Sequence, residues 1–546
     1  PYLYLASRKE ETFTKFLEKN DIPANSSSTE LLNALRTLFH IDSRYTTAQA
    51  RLIAGVRYEL AGRDSYVFAE DVPTDLISQI TDGDFAGVTT GQSSIRAYNT
   101  PYAAHILGRI TRIYAEDWDT YRDKGYSMDA LVGESGVERA FEDWLHGNNG
   151  TRLITTDEKG KITGEVYMQE PKPGGTVALT LDLDLQAATE NALANTIEGM
   201  NDKDSDQRGG AAAVVQVGSG EVLALASYPS FDLSTFAQSY NDLLEDERLP
   251  MFNRAVNGTY APGSTFKMNT AVAALESGII TPSSIIQDKG VYTFYEYPQP
   301  WCWVWPMGYT HGRVNVSDAI AVSCNYFFYE VGRLTGIETI DDYANQFGLG
   351  RSTGIEIGDS VGALASPEYA EAHDLEWTDG QTLTAAIGQS YNLFTPLQLS
   401  NYIATLVGGG EHYQAHLLKS VKKYDNSQLL YVYDAPPENT VEMSDSTVEA
   451  VKKGMYELTT GSLAGAFANC VVSAGAKTGS AQIGTEVANG VFVAFAPYED
   501  PEIAVAIVIE KGGAGAALAS TAVEIINSYF SSGLNGDVIG ENTLLK

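Results

Sequence analysis

The chain is poor in cysteine and in positive charge. Its 546 residues include 3 cysteines, which are too few for a disulfide framework. Its 70 Asp and Glu residues outnumber the 36 Lys and Arg residues, and the resulting net charge of −34 repels the phosphates of nucleic acid. We therefore expect no nucleic-acid partner.

The sequence also lacks a long apolar run. A membrane-spanning helix needs about 18 consecutive apolar residues, and no stretch approaches that length. The chain begins at Pro1 rather than Met. We expect that a preceding segment, which holds a signal or membrane anchor, is missing from this chain.

Hydrophobic residues make up 44% and aromatic residues 10% of the chain, which is enough for sizeable folded cores. The length suggests two or three domains. The Pro-Lys-Pro-Gly-Gly stretch at 171–175 is a strong turn signal, so we place a domain boundary there. The predicted domains are residues 1–173 and 174–535, followed by a tail at 536–546. Residues 1–60 have helical spacing but show little sign of a compact core.

The second domain begins with a strand, a helix and a hairpin, and it ends with three strands and a helix. The predicted segments are strand 176–183, helix 184–197, hairpin strands 211–216 and 222–226, strands 471–482, 490–496 and 503–510, and helix 517–530. An antiparallel sheet covered by helices fits this order better than a βαβ series. We therefore predict an α+β fold.

Ser264 and Lys267 lie at the start of a helix predicted to run to about Ser277, directly after the turn Pro262–Gly263. Because one turn separates them, their side chains rise from the same face. A serine hydroxyl needs a neighbouring base to act as a nucleophile, and an amine with a lowered pKa can be that base. The Ser-x-x-Lys pattern alone is common, and a helix-capping serine beside a solvated lysine is the commoner explanation.

Two further stretches favour a catalytic role for Ser264 and Lys267 over the helix-capping explanation. Ser323-Cys324-Asn325 follows the first pair, and Lys477-Thr478-Gly479-Ser480 lies in a strand pattern near the C-terminus. Each is weak alone, but the order Ser-x-x-Lys, Ser-x-Asn, Lys-Thr-Gly is the signature of class A β-lactamases and penicillin-binding proteins. The candidate catalytic residues are Ser264, Lys267, Ser323, Asn325 and Lys477, and the candidate substrate-binding residues are Thr478, Gly479 and Ser480.

The second domain resembles the transpeptidase domain of class B penicillin-binding proteins over about residues 174–530. Beyond the three motifs, the similarity extends to residues 222–232, 253–255, 260–267, 387–389 and 395–399. Residues 133–138 resemble the non-catalytic pedestal of that class, and residues 311–329 resemble its elongation-type branch. The resemblance implies a C-terminal serine transpeptidase domain with a β-lactamase-like fold and an elongated N-terminal pedestal. It also implies a place at the extracytoplasmic face of the bacterial cell membrane.

The resemblance implies the reaction as well. Ser264 would attack the D-Ala-D-Ala carbonyl of a peptidoglycan stem peptide, and neutral Lys267 would take its proton. Burial and the neighbouring Lys477 cation favour that neutral form. Ser323 would relay a proton to the leaving D-Ala while Asn325 orients Lys267 and the substrate amide.

Substrate binding and partners follow from the same resemblance. Backbone amides of Ser264 and Ser480 would form the oxyanion hole. Lys477, with the hydroxyls of Thr478 and Ser480, suits the terminal carboxylate of the substrate. A second stem peptide would resolve the acyl-enzyme, β-lactams would acylate Ser264, and a membrane glycosyltransferase is the expected partner protein.

Four residues with metal-binding side chains lie between the first two motifs. They are Asp288, Cys302, His311 and Cys324. Their spacing is not that of a zinc finger, but sulfur, nitrogen and oxygen ligands suit a tetrahedral structural Zn²⁺. The alternative is that the cysteines are small buried residues, Cys302 among neighbouring tryptophans. Some penicillin-binding proteins of this type carry such a zinc, so the resemblance favours the metal.

Several related activities share the three motifs. A β-lactamase needs a base for its deacylating water, and no carboxylate can be assigned to that role. A D,D-carboxypeptidase differs only in its acceptor. A class A protein would need a glycosyltransferase motif that is not found here. A non-turnover β-lactam sensor is an alternative outside enzymes, but a long N-terminal half is not typical of it.

Overall fold

The computed structural model describes residues 10–61, 66–69, 72–83, 85, 87–91, 95–128, 130–158, 162–200, 208–483 and 487–532. By spatial compactness the chain forms two units, which comprise residues 1–94 with 152–166 and residues 95–151 with 167–546. The predicted division at 173 stays a prediction. The predicted tail at 536–546 lies outside the described residues.

The described residues contain both helices and strands. The helices are α1 (Glu10–Lys19), α2 (Ser28–Leu38), α3 (Thr47–Leu60), α4 (Thr74–Gly83), α5 (Ala104–Leu107), α6 (Trp118–Asp123), α7 (Gly136–Ala140), α8 (Glu142–Leu145), α9 (Leu183–Glu198), α10 (Phe236–Glu245), α11 (Arg254–Asn257), α12 (Lys267–Glu276), α13 (Val316–Ala321), α14 (Asn325–Thr335), α15 (Ile337–Gln346), α16 (Pro367–Ala372), α17 (Asp379–Ala385), α18 (Pro396–Val407), α19 (Asp445–Thr460), α20 (Ala464–Phe467) and α21 (Ala519–Ser532). Within the parts of the chain described, none of these helices is long and apolar enough to cross a bilayer.

The strands are mostly short, and the longest ones lie in the second unit. They are β1 (Ile110–Arg112), β2 (Leu131–Gly133), β3 (Thr151–Thr156), β4 (Ile162–Gln169), β5 (Thr176–Leu179), β6 (Gly210–Gln216), β7 (Val222–Tyr228), β8 (Ile286–Gln287), β9 (Arg313–Val314), β10 (Glu411–His412), β11 (Leu418–Lys422), β12 (Leu429–Val432), β13 (Asn439–Thr440), β14 (Gly475–Ile483), β15 (Val487–Ala496) and β16 (Ile503–Ile509). β5 ends earlier than predicted because Asp182 caps α9, its side chain accepting a hydrogen bond from the Leu185 amide.

The first unit has a compact helical core, and the expectation that residues 1–60 lack one is wrong. Ser27 and Thr46 start α2 and α3 with capping boxes. The buried residues of this core are Phe13, Leu17, Ile22, Leu31, Leu32, Leu35, Ile41, Ala50 and Ala54. The sequence pattern hides the core because α3 contributes small alanines, which allow close approach, rather than a stripe of large apolar residues.

The second unit is built on a five-stranded antiparallel sheet in the order β14–β15–β16–β6–β7. β6 and β7 form the predicted hairpin, and β16 joins this hairpin to the C-terminal strands, with Val505 opposite Val214. β14 is an edge strand that pairs with β15 along one side. The predicted α+β architecture with an antiparallel sheet is therefore observed.

Helices cover both faces of this sheet. Alternate side chains of a strand point to opposite faces, so a strand buried on both sides is apolar throughout, as β16 is. On one face Val214 and Phe492 pack in a core with Ile526 of α21. On the other face Val491 and Val493 join the core that contains α12 and α18. The sheet and the helix α12 thus form one rigid frame, and the first and third sequence motifs lie on it.

Candidate active site

Ser264 lies on a tight 3₁₀ turn, Gly263–Phe266, that continues directly into α12. The predicted helix therefore begins with a narrower turn than expected. A 3₁₀ helix has about three residues per turn, so residues three apart lie one above the other. The turn places Lys267 on the same face as Ser264, and the Lys267 side chain is fully buried.

The turn of Ser264 rests directly on another backbone segment. The Gly263 amide donates a hydrogen bond to the Gly388 carbonyl at 2.9 Å. Gly388 has a φ of +76°, and a Cβ added there would lie 2.1 Å from the Gly263 carbonyl oxygen. Only glycine fits this contact, which fixes the height of the Ser264 turn above the segment after α17.

Ser323 occupies a sharp connection between two helices. α13 ends at Ala321, α14 begins at Asn325, and Ser323 has a φ of +54°. A left-handed backbone is uncommon for a residue with a Cβ and often marks a functional site. The Cys324 side chain caps α14 by accepting a hydrogen bond from the Phe327 amide. The second motif is therefore held rigidly between two helix ends.

The Ser323 hydroxyl is shared by two lysines. Lys267 Nζ lies 3.2 Å from Ser323 Oγ, and Lys477 Nζ lies 3.0 Å from the same oxygen. Lys267 also donates to Asn325 Oδ1 at 2.6 Å and to the Ser323 carbonyl at 3.0 Å. The structure thus brings four predicted catalytic residues into one hydrogen-bond network and places Ser264 one turn from it.

Burial weakens the basicity of both lysines. Loss of solvation lowers the pKa of Lys267 to about 8, against an opposing effect of the Cys324 and Cys302 thiolates. The pKa of Lys477 is lowered further, first by burial and then by the charge of Lys267. The expectation that burial favours a neutral Lys267 is supported. The charge repulsion acts on both amines, so the two titrate as a pair.

The third motif lies on the edge strand β14. Lys477 is buried at its centre and donates to the Thr478 carbonyl at 3.0 Å. The Ser480 side chain accepts a hydrogen bond from the Gly515 amide at 3.4 Å. Gly479, a candidate substrate-binding residue, also lies close to another part of the protein. A Cβ there would lie 2.6 Å from the Pro262 carbonyl oxygen, so this glycine lets β14 lie against the Ser264 turn.

Gln389 is a site residue to which the sequence analysis gave no role. Its side-chain amide donates to the Ser480 carbonyl at 3.4 Å. Its backbone is held on both sides, since its amide donates to the Thr384 carbonyl and its carbonyl accepts from Asn392. The only sequence signal was that residues 387–389 belong to the resemblance. The turn after α17 therefore contacts both the nucleophile turn and the substrate strand.

A buried ion pair holds the chain segment that precedes Ser264, and no pattern in the sequence indicated it. Arg254 Nε lies 2.9 Å from Glu510 Oε1, and the Arg254 side chain is almost fully buried. The Tyr260 hydroxyl donates to the same carboxylate oxygen at 2.8 Å. These contacts tie the segment before the nucleophile to the end of β16.

The four predicted metal ligands lie together beside the second motif. The ligand atoms of Asp288, Cys302, His311 and Cys324 are all within 4.8 Å of one another. Cys302 Sγ lies 3.9 Å from Cys324 Sγ and 3.3 Å from His311 Nδ1. Asp288 Oδ2 lies 3.0 Å from His311 Nδ1 and 3.7 Å from Cys324 Sγ.

Four of the six separations between the ligand atoms are close to the edges of a tetrahedron around Zn²⁺, and all six are within 4.8 Å. With Zn–S near 2.3 Å and Zn–N and Zn–O near 2.0 Å, tetrahedral geometry requires about 3.8 Å between two sulfurs and roughly 3.3–3.5 Å for the other pairs. The observed values of 3.9, 3.3, 3.0 and 3.7 Å lie close to them. All four side chains are buried or nearly so, as a closed structural site requires. The residues therefore fit the metal.

Comparison with protein families gives two matches along this chain. The family model for the penicillin-binding protein transpeptidase domain matches residues 210–529. The model for the penicillin-binding protein dimerisation domain matches residues 5–179. Among curated relatives, peptidoglycan D,D-transpeptidase MrdA of Escherichia coli K12 is 30% identical over 498 residues, covering 84% of this chain and 75% of the relative. MrdA of Acinetobacter baumannii is 27% identical over 561 residues, covering 95% and 77%.

Solved structures agree with these matches. PBP2 of Pseudomonas aeruginosa, in complex with WCK 5153, has a TM-score of 0.67 and 29% identity, covering 81% of this chain and 90% of that one. A chain of a peptidoglycan synthase complex that coordinates polymerization and crosslinking has a TM-score of 0.71 and 28% identity, covering 89% and 85%. This chain therefore belongs to the penicillin-binding protein transpeptidase family, and the predicted resemblance to its class B, PBP2-type members is confirmed.

Proposed function

We propose that this protein is a peptidoglycan D,D-transpeptidase whose nucleophile is Ser264. The observation that carries the proposal is the Ser323 hydroxyl held between the amines of Lys267 and Lys477. One amine lies a turn from the nucleophile, and the other lies on the edge strand where a peptide can pair. Curated relatives that align with most of this chain are named peptidoglycan D,D-transpeptidase.

Acylation follows from this geometry. Ser264 Oγ attacks the carbonyl carbon of the D-Ala-D-Ala bond, and its proton passes to the neutral amine of Lys267. The developing oxyanion accepts hydrogen bonds from the backbone amides of Ser264 and Ser480. The carbon–nitrogen bond then breaks, and the proton moves from Lys267 through the Ser323 hydroxyl to the nitrogen of the departing D-Ala.

Substrate binding favours a positive charge on Lys477 and a neutral Lys267. Two buried amines that share one hydroxyl do not both carry a full charge easily. The carboxylate of the terminal D-Ala, bound along β14 beside Lys477, favours the charged form of that lysine. The remaining repulsion and burial then favour a neutral Lys267. Substrate binding therefore favours the neutral form of Lys267, which is the base that activates Ser264.

Deacylation completes the transfer. An amine of a second stem peptide attacks the ester of Ser264, a new amide bond forms, and the serine regains its proton. Within the described residues, Lys267 and Lys477 donate hydrogen bonds to hydroxyl, amide and backbone oxygens. Among these acceptors in the described part of the chain there is no carboxylate that could activate a deacylating water, which supports a long-lived penicilloyl-enzyme rather than a β-lactamase.

The proposal is tested with labelled penicillin and with a stem-peptide donor plus an amine acceptor. The wild type should form a lasting adduct and transfer the donor to the amine, whereas Ser264→Ala should do neither and keep its melting temperature. Labelling that survives Ser264→Ala refutes the nucleophile. Hydrolysis of the peptide without amine transfer indicates a carboxypeptidase, and an adduct without peptide turnover indicates a sensor.

We further propose that Asp288, Cys302, His311 and Cys324 bind a structural Zn²⁺. Cys324 lies between Ser323 and Asn325, so a bond to its sulfur holds both catalytic neighbours in place. Four protein ligands leave no open coordination position, and the ion then supplies cross-linking rather than chemistry. The metal would join the segments that carry the four ligands into one unit.

Metal analysis of the purified protein tests this directly. About one equivalent of zinc is expected in the wild type and much less in Cys302→Ser. The variant should also melt at a lower temperature, since metal binding contributes to folding. Cys470→Ser is the matched control because that cysteine is outside the cluster. The proposal would be contradicted if the purified wild type held no zinc and melted at the same temperature as Cys302→Ser.

We propose that the reaction takes place outside the cytoplasm and beside a polymerizing partner, a setting that the family supports. The related peptidoglycan synthase complex couples polymerization to crosslinking. We propose the same setting for this protein, with a membrane glycosyltransferase as partner and an N-terminal anchor preceding this chain. Co-purification of the full-length protein with a glycan polymerase from solubilised membranes tests it, and recovery of full-length protein from the cytosol would contradict it.

A further inference from the structure

Three partly exposed tryptophans lie in the segment that carries the proposed metal ligand Cys302. Trp301, Trp303 and Trp305 are 57%, 46% and 43% exposed, whereas Cys302 and Val304 between them are buried. The buried residues attach this segment to the core, so the indoles point outward. Exposed clusters of large aromatic side chains mark binding surfaces more often than ordinary surface. We name these three residues the tryptophan face.

Trp303 of the tryptophan face lies next to the second motif. The Trp303 indole nitrogen donates to the Val322 carbonyl at 3.2 Å. The next carbonyl along the chain, that of Ser323, accepts from Lys267 at 3.0 Å. Two successive peptide groups thus separate a partly exposed indole from the catalytic amine. Val322 is itself 39% exposed, so apolar surface continues from Trp303 toward the site.

The segment is held firmly enough to present these rings. Trp301 pairs with Val291 through a backbone bridge, and the Cys302 amide donates to the Gly290 carbonyl at 2.7 Å. The Trp305 ring lies against Gly290, where a Cβ would approach it to 2.0 Å. A fixed aromatic surface loses little conformational entropy when a ligand covers it.

We propose that the tryptophan face binds the sugar chain to which the stem peptide is attached. This inference rests on the proposed function, because the sugar chain reaches this face only when its peptide enters the site. One face of a pyranose ring carries C–H groups of slight positive charge, which pack well against the negative face of an indole. With a net charge of −34, the protein repels anionic lipid, whereas the sugar rings themselves are uncharged.

The inference predicts a difference between two donors that share one peptide. A free stem peptide contacts β14 but not the tryptophan face, whereas a stem peptide on a sugar oligomer contacts both. Loss of one aromatic stacking contact should weaken binding of the second donor roughly three- to tenfold. A β-lactam carries no sugar, so penicillin acylation should not change.

The experiment compares wild type, Trp301→Ala and Trp303→Phe. Trp303→Phe keeps an aromatic ring and removes the hydrogen bond to Val322, so it separates stacking from support of the second motif. Tyr424→Ala is the matched control, since Tyr424 is exposed but lies on another segment. The measurements are KM and kcat for both donors, the penicillin acylation rate, and direct binding of a peptide-free N-acetylglucosamine–N-acetylmuramic acid oligomer followed by tryptophan fluorescence.

The expected result is a KM for the sugar-linked donor that rises in Trp301→Ala alone among these variants, with kcat, the free-peptide KM and penicillin acylation unchanged. The oligomer should bind the wild type more tightly than Trp301→Ala, and this readout remains valid if no transpeptidation is found. An equal KM for both donors in the wild type would overturn the inference. So would equal oligomer binding by all variants, or a weaker association of Trp301→Ala with a protein partner in place of any sugar effect.

Discussion

Replacing Lys267 by methionine should make the protein inactive and more stable. Methionine has a similar length and packs in the same buried space, but it carries no charge. Burial lowers the pKa of Lys267 from 10.5 to about 8. At about 1.4 kcal/mol per pH unit, the folded protein pays about 3 kcal/mol to keep this amine charged. Lost hydrogen bonds to Ser323 and Asn325 offset about 1 kcal/mol of that, because both acceptors are only half-buried and water can reach them.

The stability difference between the wild type and Lys267→Met should depend on pH. Below pH 8 the amine is protonated in both the folded and the unfolded chain, so the whole cost is present. Between pH 8 and 10.5 the folded chain releases the proton first, the unfolded chain binds more protons, and wild-type stability rises with pH. The advantage of Lys267→Met should therefore be about 2 kcal/mol at pH 7 and should vanish at about pH 9.5, where the remaining burial cost equals the loss of the hydrogen bonds. Near pH 10.5 the wild type should be slightly more stable than Lys267→Met.

Denaturant unfolding of both proteins at pH 7 and pH 10 measures this difference, with labelled penicillin confirming the loss of acylation. Lys453→Met is the matched control, because its side chain is 56% exposed and its replacement should change stability little. A Lys267→Met protein that is less stable than wild type at pH 7 would refute the argument. An advantage that grows between pH 8 and pH 10 would refute it as well.

Three further changes test how the site is supported. Gly388→Ala should lower the penicillin acylation rate about 100-fold, because its Cβ would meet the Gly263 carbonyl and displace Ser264; an unchanged rate would contradict this. Gln389→Ala should lower kcat/KM for a stem peptide roughly threefold with unchanged melting temperature, since one exposed hydrogen bond to Ser480 is lost. Glu510→Gln should cost about 2 kcal/mol in denaturant unfolding, because it leaves the buried Arg254 charge poorly paired.

The order of the motifs in the sequence was sufficient to predict the chemistry. Ser264 and Lys267 had to share a face because a helix completes a turn every three to four residues. The later Ser-x-Asn and Lys-Thr-Gly stretches identified the other candidate catalytic residues. The hairpin β6–β7 and the C-terminal strands could also be predicted from the sequence, because their β-branched runs and turns are local signals. The zinc ligands could be grouped by residue type alone.

The sequence could not show the contacts between segments far apart in the chain. The Ser323 hydroxyl lies between Lys267 and Lys477 only because the sheet and α12 pack into one frame. The lowered pKa of Lys267 depends on that burial. The role of Gln389 depends on how the turn after α17 meets β14, for which no local pattern exists.

The sequence by itself was sufficient to predict the candidate catalytic side chains, most helix and strand types around them, and the four residues proposed as metal ligands. Those are properties of residue identity and short-range spacing, which backbone geometry converts directly into structure. Only the tertiary structure decided the 3₁₀ form of the Ser264 turn, the role of Gly479 as a packing residue, the helical core within residues 1–60 and the outward tryptophans. Each of these depends on which distant backbone or side chain fills the neighbouring space, and packing alone sets that.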